Sequence, residues 1–387
     1  MASSTSPSSQ SRWSNASASW RRPARTEAAR GRRVPTYYIA ESKLGEFLFG
    51  LDAAAVFGQV ADGEGSDFAR LKRGSAAELD LRRPRAPTSV KSFLFPPKER
   101  VAVYPSASYR WQPPLSPEQP LVVAGIRACD VAALAILDSV FIQDDYVDPF
   151  YSLRREAMRV VSVDCAEPAP SCFCSLLGAK PYPQGGRFDV NLSPVPGGYV
   201  AEAGSEKGKE MLLAGTRLFR EPTPAELAAR DATRAAAEAK LSQQNGPFAT
   251  EGSPQKIVAE AIEDDRWLEL AAGCVECGSC SAICPTCHCF QLYDQPSDEA
   301  AGPNERIKTW DSCVLASYAK MAGVGGLKAT PRPELRQRFA NRVIHKFAWF
   351  PQTMGLLGCV GCGRCIDACL GGDDLRRLIK DLETVEA

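Results

Sequence analysis

Histidine is nearly absent from this chain of 387 residues, which contains only His288 and His345. Two histidines are too few for a haem or zinc site with several imidazole ligands, and they give little basis for a Ser/His/Asp triad. Lysine plus arginine and aspartate plus glutamate each number 46, so no net charge favours nucleic acid or an anionic membrane. The longest apolar stretches, such as Leu121 to Ile126, fall far short of the roughly 20 residues of a spanning helix. We expect no nucleic-acid partner and no membrane span.

Nucleotide-binding signatures are missing as well. No G-x-G-x-x-G follows a predicted strand, and G-x-x-x-x-G-K-[ST] does not occur. We therefore expect no site for a nicotinamide, a flavin or ATP, and no catalytic residue. Substrate chemistry would belong to partner subunits.

Cysteine, in contrast, is abundant, with 15 residues in the chain. Most of them stand in tight C-x-x-C spacings, whereas a disulfide framework would spread them out. This pattern indicates metal ligation in a reducing compartment, so we expect a cytoplasmic protein.

Two cysteine motifs near the C-terminus have the spacing of ferredoxin clusters. Cys274-Val-Glu-Cys277-Gly-Ser-Cys280-Ser-Ala-Ile-Cys284-Pro285 matches C-x-x-C-x-x-C-x-x-x-C-P, and Cys359-Val-Gly-Cys362-Gly-Arg-Cys365-Ile-Asp-Ala-Cys369 repeats its cysteine spacing. In such pairs the fourth cysteine of each motif ligates the other cluster. We assign one [4Fe–4S] cluster to Cys274, Cys277, Cys280 and Cys369, and a second to Cys359, Cys362, Cys365 and Cys284.

Three further residues of the motifs are expected to support the cofactor. Gly278 and Gly363 follow the second cysteine of each motif, where the chain needs positive φ and a close backbone approach to sulfide. Pro285 ends the first ligand loop by fixing φ and removing a donor. The second motif departs here, because Leu370 stands in the place of proline. Structural zinc is the alternative ligand of paired C-x-x-C units, but three cysteines at successive two-residue gaps favour a cube.

Seven cysteines lie outside the eight ligands. Four of these cysteines lie in the first part of the chain, after predicted strands. The ends of parallel strands converge at one edge of a sheet, so the four thiols could meet there and hold a third cluster. The alternative is that they pack as small buried side chains. For the rest, near the first motif, we favour packing around a cluster over ligation. We expect His288 to be a surface group or a neighbour of the cluster ligands, and not a ligand itself. The first group is Cys129, Cys165, Cys172 and Cys174, and the second is Cys287, Cys289 and Cys313.

The rest of the sequence predicts an α/β (α+β) N-terminal domain. Leu121 to Ile126 reads as a buried strand, Val131 to Phe141 as a helix with Asp130 as its N-cap, and Arg159 to Val163 as a second strand of a βαβ unit. We divide the chain into a disordered Ser/Arg-rich tail (1–35), this α/β domain (36–245) and a mainly helical ferredoxin-like 4Fe–4S dicluster domain (246–387). The composition of the tail is also that of a transit peptide.

A series of motifs resembles the beta subunit of cytoplasmic NADP-linked [NiFe] hydrogenases, or sulfhydrogenases, and also its relative, the iron–sulfur subunit of anaerobic sulfite reductase. The resemblance extends from about Tyr37 to Leu378. Besides the two cluster motifs, it is carried by Ile126-Arg-Ala-Cys-Asp130, Tyr151-Ser-Leu-Arg-Arg-Glu156, Cys172-Phe-Cys174, Cys284-Pro-Thr-Cys-His-Cys-Phe290 and Trp310-Asp-Ser-Cys313.

This resemblance implies an iron–sulfur subunit that passes electrons between a [NiFe] hydrogenase or a sirohaem sulfite reductase and a flavin-containing NAD(P)H subunit. It also favours the third cluster, because Cys129, Cys172 and Cys174 stand inside shared motifs. Two alternatives stay open: the iron–sulfur subunit of a sulfite or polysulfide reductase and, from another class, an iron–sulfur sensor or assembly scaffold.

Overall fold

The structure is a computed structural model that describes residues 35–63, 65–74, 79–104, 119–143, 147–296, 302–320 and 330–383. The tail predicted over residues 1–35 lies outside this part of the chain, apart from Pro35. The strands are β1 (Thr36–Ala40), β2 (Ala55–Asp62), β3 (Gly65–Arg70), β4 (Lys98–Tyr104), β5 (Leu121–Ile126), β6 (Met158–Val163), β7 (Val190–Val195), β8 (Gly198–Ala203), β9 (Phe219–Arg220), β10 (Phe290–Pro296) and β11 (Asn304–Trp310).

The helices vary widely in length. They are α1 (Glu41–Phe49), α2 (Lys91–Leu94), α3 (Ala128–Phe141), α4 (Pro149–Ala157), α5 (Glu206–Ala214), α6 (Pro224–Asn245), α7 (Pro254–Glu260), α8 (Trp267–Leu270), α9 (Ser279–Ala282), α10 (Leu335–Ile344), α11 (Phe350–Met354), α12 (Arg364–Asp367) and α13 (Leu375–Glu383). A π-helical turn, His345–Trp349, joins α10 to α11. Among the described residues, no helix combines the length and the hydropathy that crossing a membrane requires.

A mixed sheet forms the centre of the N-terminal region. In the described residues it has eight strands in the order β3-β2-β5-β6-β7-β8-β1-β9. The neighbours β2, β5, β6 and β7 are parallel, and antiparallel strands complete both edges. The predicted βαβ unit is confirmed, since β5 and β6 pair in parallel and α3 and α4 lie between them in sequence. Because β5 is a central strand, its apolar side chains are buried almost completely.

The predicted N-cap role of Asp130 is wrong. Helix α3 starts at Ala128, and Arg127 is its N-cap residue, so Asp130 lies in the first turn. There its buried carboxylate accepts hydrogen bonds of 3.1 and 2.8 Å from the guanidinium of Arg364. The acid is favoured in this turn by the helix dipole, and its partner comes from the second cysteine motif.

The described part of the C-terminal region contains several short helices and a second sheet, so its predicted mainly helical character is not confirmed. Strands β10 and β11 form an antiparallel hairpin, and β11 also pairs with β4 from the N-terminal region. The sequence did not predict this hairpin, which joins the two regions through the pairing of β11 with β4. Helices α7, α10 and α13 share one hydrophobic core, and residues 35–387 form one compact unit. The predicted boundary after residue 245 stays a prediction.

Candidate metal centres

The thiols assigned to the first cluster surround one cavity. Cys277 precedes α9, Cys280 lies within it, and Cys369 follows α12 from the second motif. Cys277 is the exposed cysteine of this set, and the other three are partly buried. The structure therefore brings together the predicted crossed set, whose members line this cavity: Cys274, Cys277, Cys280 and Cys369.

The exposed thiol of the first set accepts hydrogen bonds. The hydroxyl and the amide of Ser279, together with the amide of Leu370, hold the pKa of Cys277 below its usual value. Val275 and Leu370 beside it are 59% and 76% exposed. The first ligand set thus reaches the surface through an apolar rim, and the amide of Leu370 is available because this residue is not proline.

The second ligand set is buried. The thiols of Cys359, Cys362 and Cys365 each interact electrostatically with that of Cys284. Both Cys284 and Cys362 are 7% exposed. Burial raises the pKa of Cys359 to about 12 and that of Cys362 to about 11. These thiols stay protonated at neutral pH until a metal displaces their protons, which couples metal binding to proton release.

Two glycines place the third cysteine of each motif. Gly278 and Gly363 both have φ of +74°, and each is the N-cap residue of the short helix that carries Cys280 or Cys365. The predicted positive φ is present at both positions. A side chain at Gly363 would also collide with the Ser171 carbonyl oxygen, 2.2 Å from an added Cβ. The second motif therefore packs directly on the loop that contains Cys172 and Cys174.

The cysteines of the possible third site also surround one cavity. Cys129 follows β5, and Cys165 follows β6, so the carboxyl ends of two parallel strands bring them together as expected. Cys362 of the second ligand set lines the same cavity, and its carbonyl oxygen lies 3.6 Å from the Cys172 sulfur. Burial raises the pKa of Cys165 and of Cys174 to about 12. The four predicted thiols in this cavity are Cys129, Cys165, Cys172 and Cys174.

Buried cations surround these thiols, and sequence reasoning did not find them. Lys91, Arg342 and Lys346 are 2%, 9% and 4% exposed, and within the described residues none of them pairs with a carboxylate. Burial lowers the pKa of Lys91. For Lys346, burial is outweighed by the thiols of Cys284 and Cys287, which raise its pKa. Unpaired buried cations are costly, so this environment requires anions, and ligating thiolates supply them.

Two arginines have an unused donor at these sites. The Nε atoms of Arg342 and Arg127 are buried and have no hydrogen-bond partner in the described part of the chain. Arg342 lines the first cavity, and Arg127 lines the third. The thiolates and sulfides of a bound cluster could accept hydrogen bonds from these two Nε–H groups. The residues present therefore fit iron–sulfur clusters by charge and by hydrogen bonding.

Zinc fits this arrangement less well. A zinc ion draws four ligands to within about 2.3 Å of one point. In each motif three cysteines stand at successive two-residue gaps, a spacing that favours a cube over this geometry.

A further group of thiols lies beside the second set. The Cys287 thiol donates to Cys284, and this bond holds the pKa of Cys284 well below its ordinary value. A bond from Cys313 lowers the pKa of Cys289 to about 6. Burial lowers the pKa of His288 to about 4, so this imidazole is neutral. His288 and the thiols of Cys287, Cys289 and Cys313 line one cavity with Arg342 and Lys346.

Comparison with known proteins places both motifs in one family model. Residues 273–372 match the model described as a 4Fe-4S dicluster domain. Over 251 residues the chain is 30% identical to sulfhydrogenase 2 subunit beta of Pyrococcus furiosus, a similarity that covers 64% of this chain and 70% of that protein. The dicluster match spans Cys274 to Cys369, so the chain has an iron–sulfur domain with two [4Fe–4S] clusters.

Proposed function

This chain belongs to the family of sulfhydrogenase beta subunits, and we propose that it relays electrons between a [NiFe] hydrogenase module and an NAD(P)H-linked flavin subunit. When bound, the clusters supply reversible one-electron chemistry at low potential. The observation that carries the proposal is the crossed convergence of the two ligand sets, one exposed at Cys277 and one buried at Cys284 and Cys362.

The protein's own residues would support this role in two ways. Arg342 lines the first cavity and interacts with Cys284 and Cys365 of the second set, so one cation serves both sites. Its charge favours the reduced, more negative state of either cluster. The apolar residues Val275 and Leu370 leave the first set accessible to a redox group of a partner.

A third cluster is part of the proposal. Its ligands would be Cys129, Cys165, Cys172 and Cys174, with Arg127 as the nearby cation. Because Cys362 lines the same cavity, this site would adjoin the second ligand set. Its test is the iron and acid-labile sulfide content of Cys174→Ser. We expect a loss of about four irons per chain relative to the unaltered protein, and an unchanged content would reject the site.

Rapid reduction tests the relay itself. We expect NAD(P)H and the flavin subunit to bleach the cluster absorbance of the full chain within the turnover time of the complex. Clusters that stay oxidised in a stopped-flow experiment would instead favour an iron–sulfur sensor or assembly scaffold.

The identity of the catalytic partner is tested by metal analysis of the native cytoplasmic complex. We expect nickel. Sirohaem without nickel would assign the chain to a sulfite or polysulfide reductase as its iron–sulfur component. This chain's ligand sets would be the same in both complexes, because substrate chemistry belongs to another subunit.

A further inference from the structure

The cysteines that the two motifs and the third site leave unused lie around a cavity of their own. The hairpin explains why residues distant in sequence meet here. Phe290 at the start of β10 pairs with Trp310 at the end of β11, so the residues just before one and just after the other become neighbours. The Asp311 amide donates to the Cys289 carbonyl oxygen at 3.0 Å and fixes the two loops together. The thiols of Cys289 and Cys313 are in hydrogen-bond contact as a result.

His288 lines the same cavity and is the candidate for a fourth ligand. Its Nδ1 atom lies 3.1 Å from the carbonyl oxygen of Thr286. A carbonyl oxygen only accepts, so Nδ1 must carry the proton, and the lone pair is on Nε2. A ligating imidazole commonly has its other nitrogen bonded to a backbone carbonyl in this way. The ring is further oriented by Phe141 and Phe350, whose centroids lie 6.4 and 5.9 Å from its own.

Buried cations surround this position and favour an anion there. Lys91 interacts with the thiols of Cys287 and Cys289, and its ammonium group lies 3.8 Å from the centroid of the Trp310 ring. Lys346 and Arg342 line the cavity, and the Nε atom of Arg342 has no partner among the described residues. Thiolates that bind a metal cluster would place negative charge beside these cations.

We propose that Cys287, Cys289, Cys313 and His288 bind one further [4Fe–4S] cluster. Acid-labile sulfide distinguishes this cluster from a zinc ion bound by the same four residues. This site adjoins the second ligand set. The Thr286 hydroxyl lies 3.2 Å from the Cys284 sulfur and accepts a 2.7 Å bond from Lys346.

Iron and sulfide analysis tests the three cysteines. Cys313→Ser in the full-length chain, prepared without oxygen, should lose about four irons and four sulfides per chain relative to the unaltered protein. Cys174→Ser is the matched control, because it removes only the separate third site. The losses should therefore add in the double variant, while the spectrum of the two motif clusters persists. An unchanged iron content in Cys313→Ser would overturn the proposal.

The histidine provides a second readout, which also decides the question if Cys313→Ser does not fold. Pulsed electron paramagnetic resonance of the reduced full-length chain should detect ¹⁴N coupling from a histidine ligand. His288→Gln should remove this coupling. His345→Gln is the control, since His345 is the chain's other histidine and lines the same cavity, and there the coupling should remain. Absence of the coupling in the unaltered protein, or its retention in His288→Gln, would overturn the proposal. Neither measurement depends on a partner protein.

Discussion

The two cysteine motifs have the same spacing and opposite surroundings. In the first, Cys277 is exposed between Val275 and Leu370, while in the second, Cys362 is 7% exposed and lies against the loop of the third site. Identical spacing thus predicts identical coordination, but elements distant in sequence decide which ligand set is exposed and which is buried.

The anchoring of the two motifs differs as well. Arg364, which follows Gly363, is fully buried and pairs with Asp130 of α3. The corresponding residue of the first motif is Ser279, whose hydroxyl and amide donate to the thiol of Cys277. Arg85 adds a second link, donating to the Cys362 carbonyl and to Asp367. The first motif is held differently, because the buried ammonium group of Lys91 donates to the carbonyl oxygens of Ser281 and Ala282. The second motif is therefore fixed to the α/β region by a buried ion pair, and the first by hydrogen bonds from a buried cation.

The largest effect should come from the exposed set. Cys277→Ser should perturb the first cluster and stop electron flow while leaving the α/β region folded, because the hydrogen-bond partners of that thiol, Ser279 and Leu370, lie outside the sheet. Stopped-flow absorbance and circular dichroism provide the two measurements. Cys362→Ser is the matched change in the buried set, and it should also lower stability. Retained NADPH-linked turnover with an unchanged cluster spectrum in Cys277→Ser would contradict this assignment.

Removing the buried ion pair should produce the next largest effect. Asp130→Ala leaves the Arg364 charge without a partner, which should lower the free energy of unfolding by about 3–5 kcal/mol. Ser279→Ala, the change at the corresponding place in the first motif, should alter it by no more than about 0.5 kcal/mol. Anaerobic guanidinium titrations measure both. Equal losses would show that the motifs are anchored alike.

The smallest effect concerns the residue that replaces proline. Leu370→Pro removes the amide that donates to Cys277, and a bond of this kind contributes about 1 kcal/mol. Because the bond favours the more negative reduced state, its loss should lower the midpoint potential of the first cluster, by roughly 40 mV for one electron. Leu370→Ala keeps the amide and should leave the potential unchanged. Redox titration followed by electron paramagnetic resonance separates the variants, and equal midpoints would refute the role of the amide.

Local sequence signals predicted only the local part of the site. The spacing of Cys274 to Cys284 and its repeat predicted eight ligands, which the structure gathers into two sets, and the strand pattern before Cys129 predicted that thiol at a sheet edge. Asp130 shows the limit, because a helix-start rule assigned it a capping role when its partner, Arg364, lies 234 residues further along the chain. The buried cations were missed for the same reason. Lysine in a proline-rich run reads as solvent-exposed, and only the fold places Lys91 among thiols.

The hairpin that joins the two regions bears on how such proteins can be engineered. Strand β11 lies between β10 and β4, and Gly363 has no room for a methyl group against Ser171. The C-terminal part is thus not an interchangeable cassette. A chimaera that grafts it onto a foreign scaffold would expose the free edge of β11 to aggregation and leave Arg364 without its carboxylate, unless β4, α3 and the 171–174 loop are transplanted with it.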